Sequence, residues 1–312
     1  MAARLARVVM VVAALALLAA APPSDWQSAL HRDHPLAGTI WDVAAGRAIT
    51  ADVLITRLSA RRFVLLGEKH DNPDHHRLQA WTLGAMVTAG RRPAVAFEML
   101  RAEQAEALAK FLATSPPDAA GLGDAVDWRR GGWPAWSLYA PIADVAIRAR
   151  LPVVAANLSD AATAALRRGG VSALEPALVT RLALDRPVPD DVRQRLLAEI
   201  RDGHCGQLPE RAIESFVTVQ RARDAHMALA MREGGGDGAV LIAGAIHARR
   251  DIGVPRALPD GEVASVAFVE VTAGVTSPPA GVPFDYVWLT PRVDDRDPCE
   301  KFRPSLDRLR QR

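Results

Sequence analysis

Two short segments pair a glycine with a histidine three residues on: Gly67-Glu68-Lys69-His70 and Gly244-Ala245-Ile246-His247. Each closes an apolar run, Arg62 to Leu66 in the first case and Ala239 to Gly244 in the second. A glycine there lets the backbone turn sharply and lets a ligand approach closely. Two further apolar runs also end on polar groups, one at Glu98 and one at Asn157. Asp71, Asn72, His75 and His76 follow the first turn, and Arg249, Arg250 and Asp251 follow the last. One polar strand end is ordinarily a helix cap or a satisfied loop, but four out of four point to a site. Glu68, His70, Glu98 and His247 together offer two carboxylates and two imidazoles, an inventory suited to a divalent metal or to general acid–base work.

A second group is aromatic. Trp128-Arg129-Arg130-Gly131-Gly132-Trp133-Pro134-Ala135-Trp136-Ser137-Leu138-Tyr139 carries three of the seven tryptophans and one of the two tyrosines. Gly and Pro make this a loop, and its tryptophans either anchor it or form a platform for a flat apolar ligand. Arg129 and Arg130 could meet ligand carboxylates bidentately. Gln220, Asp224 and Met227 share one face of a helix, where an Asp and a Gln are expected to orient a neighbouring loop rather than to react.

The elements that must position these groups are legible as an alternation. Arg62–Leu66, Pro93–Glu98, Leu151–Asn157, Ala239–Gly244, Val263–Val271 and Phe284–Leu289 read as buried strands, with helices over His75–Ala89 and Tyr139–Arg150. The alternation predicts an α/β fold with a mostly parallel central sheet flanked by helices. Between residues 159 and 233 the pattern is almost wholly helical, which predicts a largely helical insertion closed by the Gly234-Gly235-Gly236-Asp237-Gly238 connection. In such sheets ligands bind outside the carboxyl ends of the strands, where the polar groups gather.

Residues 1–22 read as a signal peptide: Arg4 and Arg7, an apolar stretch from Val8 to Ala21, and Ala19-Ala20-Ala21 as the cleavage signal. The remaining chain, 23–312, is expected to be one domain without a membrane span and to reside in the periplasm or outside the cell. Its charge balances: removing Arg4 and Arg7 from the 38 Lys and Arg leaves 36 against 36 Asp and Glu. A neutral protein has no general attraction for nucleic acid or anionic lipid. In an oxidising compartment Cys205 and Cys299 are expected to form a disulfide, the alternative being a thiol ligand beside His204.

The strings Leu65 through His76, Phe97-Glu98-Met99, Tyr139-Ala140-Pro141-Ile142, Ala155-Ala156-Asn157, Gln220 through Met227 and Ala243 through His247, with Gly253-Val254-Pro255, resemble the ChaN family. That family consists of haem-binding proteins of iron uptake, within a superfamily that also holds Tiki-type metalloproteases and erythromycin-esterase-like enzymes. The resemblance implies a periplasmic or outer-membrane-associated haem-binding protein for haem or iron uptake or storage. It also implies a homodimer holding a cofacial haem pair, with tyrosine on the iron. Tyr139 matches the family's Tyr-x-Pro segment and is the expected ligand, with Arg129, Arg130, Trp133, His70 and His247 around the haem. The family's lipoproteins carry a lipid-anchor cysteine that this chain lacks, which implies a soluble form. The superfamily's enzymes imply an alternative, a metal-dependent peptidase or esterase. Glu68, His70, Glu98 and His247 would then form its metal and catalytic set, with Glu68 as general base.

Overall fold

The computed structural model describes residues 21–114, 117–301 and 303. All but the last two residues of the expected leader, 1–22, lie outside them. Eight strands form one sheet: β1 Ile40–Asp42, β2 Arg47–Ile49, β3 Phe63–Glu68, β4 Ala94–Arg101, β5 Val153–Asn157, β6 Ala239–Gly244, β7 Val263–Glu270 and β8 Tyr286–Thr290. Their spatial order is β2-β1-β8-β7-β3-β6-β4-β5. The six strands from β8 to β5 are parallel, and the β1–β2 hairpin adds an antiparallel edge. That hairpin has no counterpart among the strands expected from the sequence, because three-residue strands are too short to show a period.

The α-helices in chain order are α1 Ala51–Ser59, α2 Pro73–Thr88, α3 Ala105–Leu112, α4 Ala119–Ala125, α5 Trp136–Arg148, α6 Asp160–Gly169, α7 Pro176–Arg181, α8 Asp190–Gly203, α9 Glu210–Glu233 and α10 Ala245–Ala248. Alternate residues of each strand serve opposite layers. Val64, Leu66, Val95, Phe97, Val240 and Ile242 pack with α2 and α5. Phe63, Leu65, Ala94, Ala96, Leu241 and Ala243 pack with Met227, Ala228 and Met231 of α9. Strands buried on both faces are why these runs are continuously apolar rather than alternating.

No strand interrupts residues 159–233, as expected, yet the block is not separable from the sheet. The C-terminal half of α9 covers one sheet face, while its N-terminal half packs with α6, α7 and α8 in two smaller cores. α9 is therefore the helix that carries the chain from β5 to β6, and α6 to α8 lean on it.

Strand order sets the position of the site. The chain leaving β3 crosses to β4 on one side, whereas the chain leaving β6 crosses to β7 on the other. Between adjacent strands whose connections part in this way a crevice opens at the carboxyl ends. The register brings Glu68 level with Gly244, so the two Gly-x-x-His turns stand side by side over that crevice. Gly67 is demanded by space: a Cβ there would meet Ala248 Cβ at 2.8 Å and Ala245 Cα at 2.9 Å. α10 thus lies directly on the end of β3.

Candidate functional site

α2 begins at the first turn. The Asn72 side chain caps it, accepting from the backbone N–H groups of Asp74 and His75, and its amide donates to Glu270 Oε1 at 2.9 Å and to the Pro291 carbonyl at 3.2 Å. The wholly buried His75 accepts from the Lys69 N–H at 2.9 Å through Nδ1, and its Nε2 lies 2.9 Å from Thr290 Oγ1. Burial, with the neighbouring His76 and Lys69, holds its pKa well below the ordinary value, so it is neutral and donates from Nε2. His76, equally buried, donates from Nε2 to the His70 carbonyl at 3.0 Å. These two histidines shape the turn from beneath, through the ordinary first turn of a helix.

Glu68 is buried at the end of β3. Its Oε1 lies 2.7 Å from His70 Nδ1 and accepts from the Tyr139 hydroxyl at 3.3 Å. Its Oε2 is buried without a hydrogen-bond partner among the described residues and lies 3.9 Å from His76 Nε2. Burial by itself would lower the His70 pKa, but the Glu68 carboxylate overrides it, with help from Glu98, and lifts it to about 9. His70 is thus an imidazolium at neutral pH in the free protein. Its edge rests on Gly244, where a Cβ would come within 3.0 Å of Nε2.

The second turn places its histidine deeper. His247 Nδ1 is 2.5 Å from Asp224 Oδ1 and its Nε2 is 3.2 Å from Glu98 Oε1. Gln220 Nε2 stands 3.0 Å from the same Nδ1. Glu98 Oε2 accepts from the Gly244 N–H at 2.7 Å, which links this group to the first turn. Burial opposes ionisation of all three groups. For His247 the two carboxylates win and raise its pKa to about 10, and in return His247 holds Glu98 well below the carboxylate range. Asp224 and Gln220 orient His247, as their place on one helix face suggested.

Two sequence expectations for these four residues are corrected here. Among the described residues, no group of three or more His, Cys, Asp or Glu is placed to hold a metal ion. The physical reason is that the carboxylates are spent on the imidazoles: both ring nitrogens of His247 face carboxylates at hydrogen-bond distance, and Nδ1 of His70 faces Glu68, so that of these four residues' ring nitrogens Nε2 of His70 alone has no carboxylate beside it. His247 is also only 3% exposed and does not line the cavity described next, so it does not touch a ligand there.

A cavity of about 650 Å³ opens above Glu68 and His70. Trp133, Pro134, Ala245 and Ile246 give it apolar walls, and its rim is charged, with Lys69, Arg292, Arg296 and Lys301 each paired to an acid and Asp71, Glu270 and Asp294 among the lining residues. Trp133 meets His70 edge to face at 4.9 Å. The remaining tryptophans of the loop anchor it: Trp128 Nε1 donates to the Pro134 carbonyl, Trp136 Nε1 to that of Ala119, and Trp128 packs on Trp136 and Tyr139 at 4.8 Å.

The aromatic loop brings three further corrections. Tyr139 has no exposed surface and does not line the cavity; its ring lies 4.2 Å from that of His76. Burial first, then the Glu68 charge, pushes its pKa above the ordinary phenol value, the reverse of what an anionic iron ligand needs. Arg129 points into solvent beside Asp124. Arg130 lines a separate cleft with Arg101 and Glu103.

Of the cations that do reach the cavity, Lys69 belongs to the first turn, and Arg292, Arg296 and Lys301 come from the segment after β8. Lys301 Nζ contacts Asp71 at 2.6 Å and Asp294 at 2.8 Å, and Val293 N–H donates to Glu270. This strap carries no periodic pattern, and more than 220 residues separate it from Glu68. Its one sequence signal was Cys299, which is bonded to Cys205.

The family described as haem-binding uptake, Tiki superfamily, ChaN matches residues 54–258. No curated protein sequence matches the chain significantly. Among solved structures, a ChaN of Campylobacter jejuni with cofacially bound haem is similar at a TM-score of 0.64 and 22% identity, over 80% of this chain and 95% of that one. The type III effector HopBA1 follows at 0.46 and 14%, over 77% and 93%. A mutant of the erythromycin esterase EreC follows at 0.42 and 15%, over 83% of each chain. With two-thirds of its length matched and both Gly-x-x-His turns at one crevice, the chain belongs to the ChaN family of the Tiki superfamily.

Proposed function

We propose that this protein binds haem in the cavity above the two turns, with His70 facing the iron, and that it serves haem or iron uptake or storage in the periplasm. One observation carries the reading: the one imidazole that the described residues place on the cavity wall is oriented by a buried carboxylate and flanked by apolar walls and a rim that includes four cations. A carboxylate on the far nitrogen fixes the ring and raises its basicity as a ligand. Trp133 and Ile246 suit the face of a macrocycle, and the rim cations suit its propionates. Oε2 of Glu68, lacking a partner among the described residues, leaves the site with an acceptor to spare for a polar group or a water brought in with the ligand. Two copies with facing cavities would accommodate a cofacial pair like that reported for the Campylobacter protein. The hydrolase alternative keeps only Glu68 and His70 on the cavity wall, too few to assemble its expected set.

Titration of hemin into the protein is expected to give a saturable Soret shift at micromolar concentration; no shift removes the reading. His70→Ala is expected to weaken binding at least ten-fold and to change the spectrum. Tyr139→Phe is expected to leave the Soret position unchanged, and a changed one would return the iron to Tyr139. Hemin-dependent dimerisation in sedimentation velocity tests the paired arrangement.

A further inference from the structure

A second cavity, of about 490 Å³, lies where the segment joining α7 to α8 crosses α9 and meets the chain after α10. Its chemistry differs from that of the first. Five arginines line it, Arg181, Arg186, Arg221, Arg232 and Arg256, against one carboxylate, Asp224, whose oxygens are engaged by His247 and Gln220. Arg181 pairs with Glu233. The other four have no carboxylate partner among the described residues. Arg221 is the telling one: half-buried on α9, it donates only to the Arg186 carbonyl at 3.0 Å. Burial alone acts on it and lowers its pKa. Taking a guanidinium out of water is costly unless a counter-charge meets it, and every cation on the rim of the first cavity does have a carboxylate. Leu184, Val192, Leu196 and Ile252 supply apolar wall between the guanidiniums, and the volume falls in the range of small-molecule sites.

We infer that this cavity is a second binding site, for a small organic molecule bearing a multiply charged oxyanion, held by Arg186, Arg221, Arg232 and Arg256. Guanidiniums meet phosphate and carboxylate oxygens bidentately, so a phosphate ester and a polycarboxylate share the chemistry. The inference rests on residues separate from those facing the haem cavity and stands without the haem reading. Isothermal titration of the full chain with phenyl phosphate, citrate and, as a singly charged control, acetate at matched ionic strength tests it. Binding of phenyl phosphate or citrate at least ten-fold tighter than acetate is expected, and which of the two binds identifies the source. Arg221→Gln and, separately, the surface variant Arg256→Gln are expected to cut that affinity at least five-fold while the hemin-induced Soret shift is retained. If neither polyanion binds more tightly than acetate, or if both variants bind as the unmodified chain does, the site does not exist.

Discussion

At the scale of single residues, the site is built from two imidazole–carboxylate groups of unequal exposure. His70, beside Glu68, reaches the cavity; His247, between Glu98 and Asp224, is sealed beneath it. Both imidazoles titrate higher in the folded protein than in the unfolded chain, so folding retains protons that unfolding would release. The stabilisation is complete below the ordinary histidine value of about 6.5 and is lost as pH rises through about 9 for His70 and about 10 for His247. Glu98, shifted downward, gives the mirror case: its contribution is present above the ordinary carboxylate range and lost only in strong acid. Thermal melts from pH 6 to 10.5 are expected to show the midpoint falling from about pH 6.5 and levelling off near pH 10. His247→Gln is expected to flatten that decline and to cost about 3 kcal/mol at pH 7 in urea unfolding, because it strands Glu98 and Asp224 as unneutralised buried carboxylates. An unchanged alkaline limb in the variant would disprove the assignment.

At the scale of elements, glycine decides how closely two of them approach. Gly244 ends β6 and gives the His70 ring its resting place; a Cβ would lie 3.0 Å from Nε2 and 3.2 Å from Cε1. Gly244→Ala is expected to push the ring aside, weakening hemin binding several-fold with a stability loss below about 1.5 kcal/mol, since the obstructed group is a side chain. Gly67→Ala instead drives Cβ into the backbone of α10 and is expected to cost about 2 to 3 kcal/mol. Denaturant midpoints of the two variants, measured alongside hemin titrations, separate the effects. An equal stability loss for both would show that α10 can yield and that this packing account is wrong.

At the scale of the whole molecule, the Cys205–Cys299 disulfide joins the turn after α8 to the strap that rims the cavity, across 94 residues. Lys301 ties the same strap to Asp71 of the first turn. Closing a loop of that length removes unfolded-state entropy worth about 3 to 5 kcal/mol. Cys205→Ser with Cys299→Ser is expected to lower the melting temperature and to speed hemin release, with the far-ultraviolet circular dichroism unchanged. Stopped-flow transfer of hemin to apomyoglobin reads the release rate; a rate equal to that of the oxidised protein would mean that the strap does not cover the ligand.

Much of this architecture could be read from residues alone. Continuous apolar runs announced strands buried on both faces, and the polar groups ending them announced the crevice, because both signals are local. β6 begins and ends where its run does, and the disulfide follows from two cysteines in an expected oxidising setting. The short β1–β2 hairpin gave no such signal. The aromatic segment was legible as a loop only in part, since residues 128–131 form a 3-10 turn and Trp136 already begins α5, and which of its side chains face the ligand was not legible: one tryptophan reaches the cavity, while Tyr139 and Arg130 point elsewhere. That choice depends on how the loop lies against α2 and β3, which no spacing encodes. Chain order likewise cannot tell that β6 inserts between β3 and β4. That insertion sets Gly244 beside Glu68 and separates an exposed imidazole from a sealed one. The sequence by itself determined the chemical inventory and the strands that carry it. Tertiary structure alone decided which groups meet, because exposure and pairing depend on contacts between segments far apart in the chain.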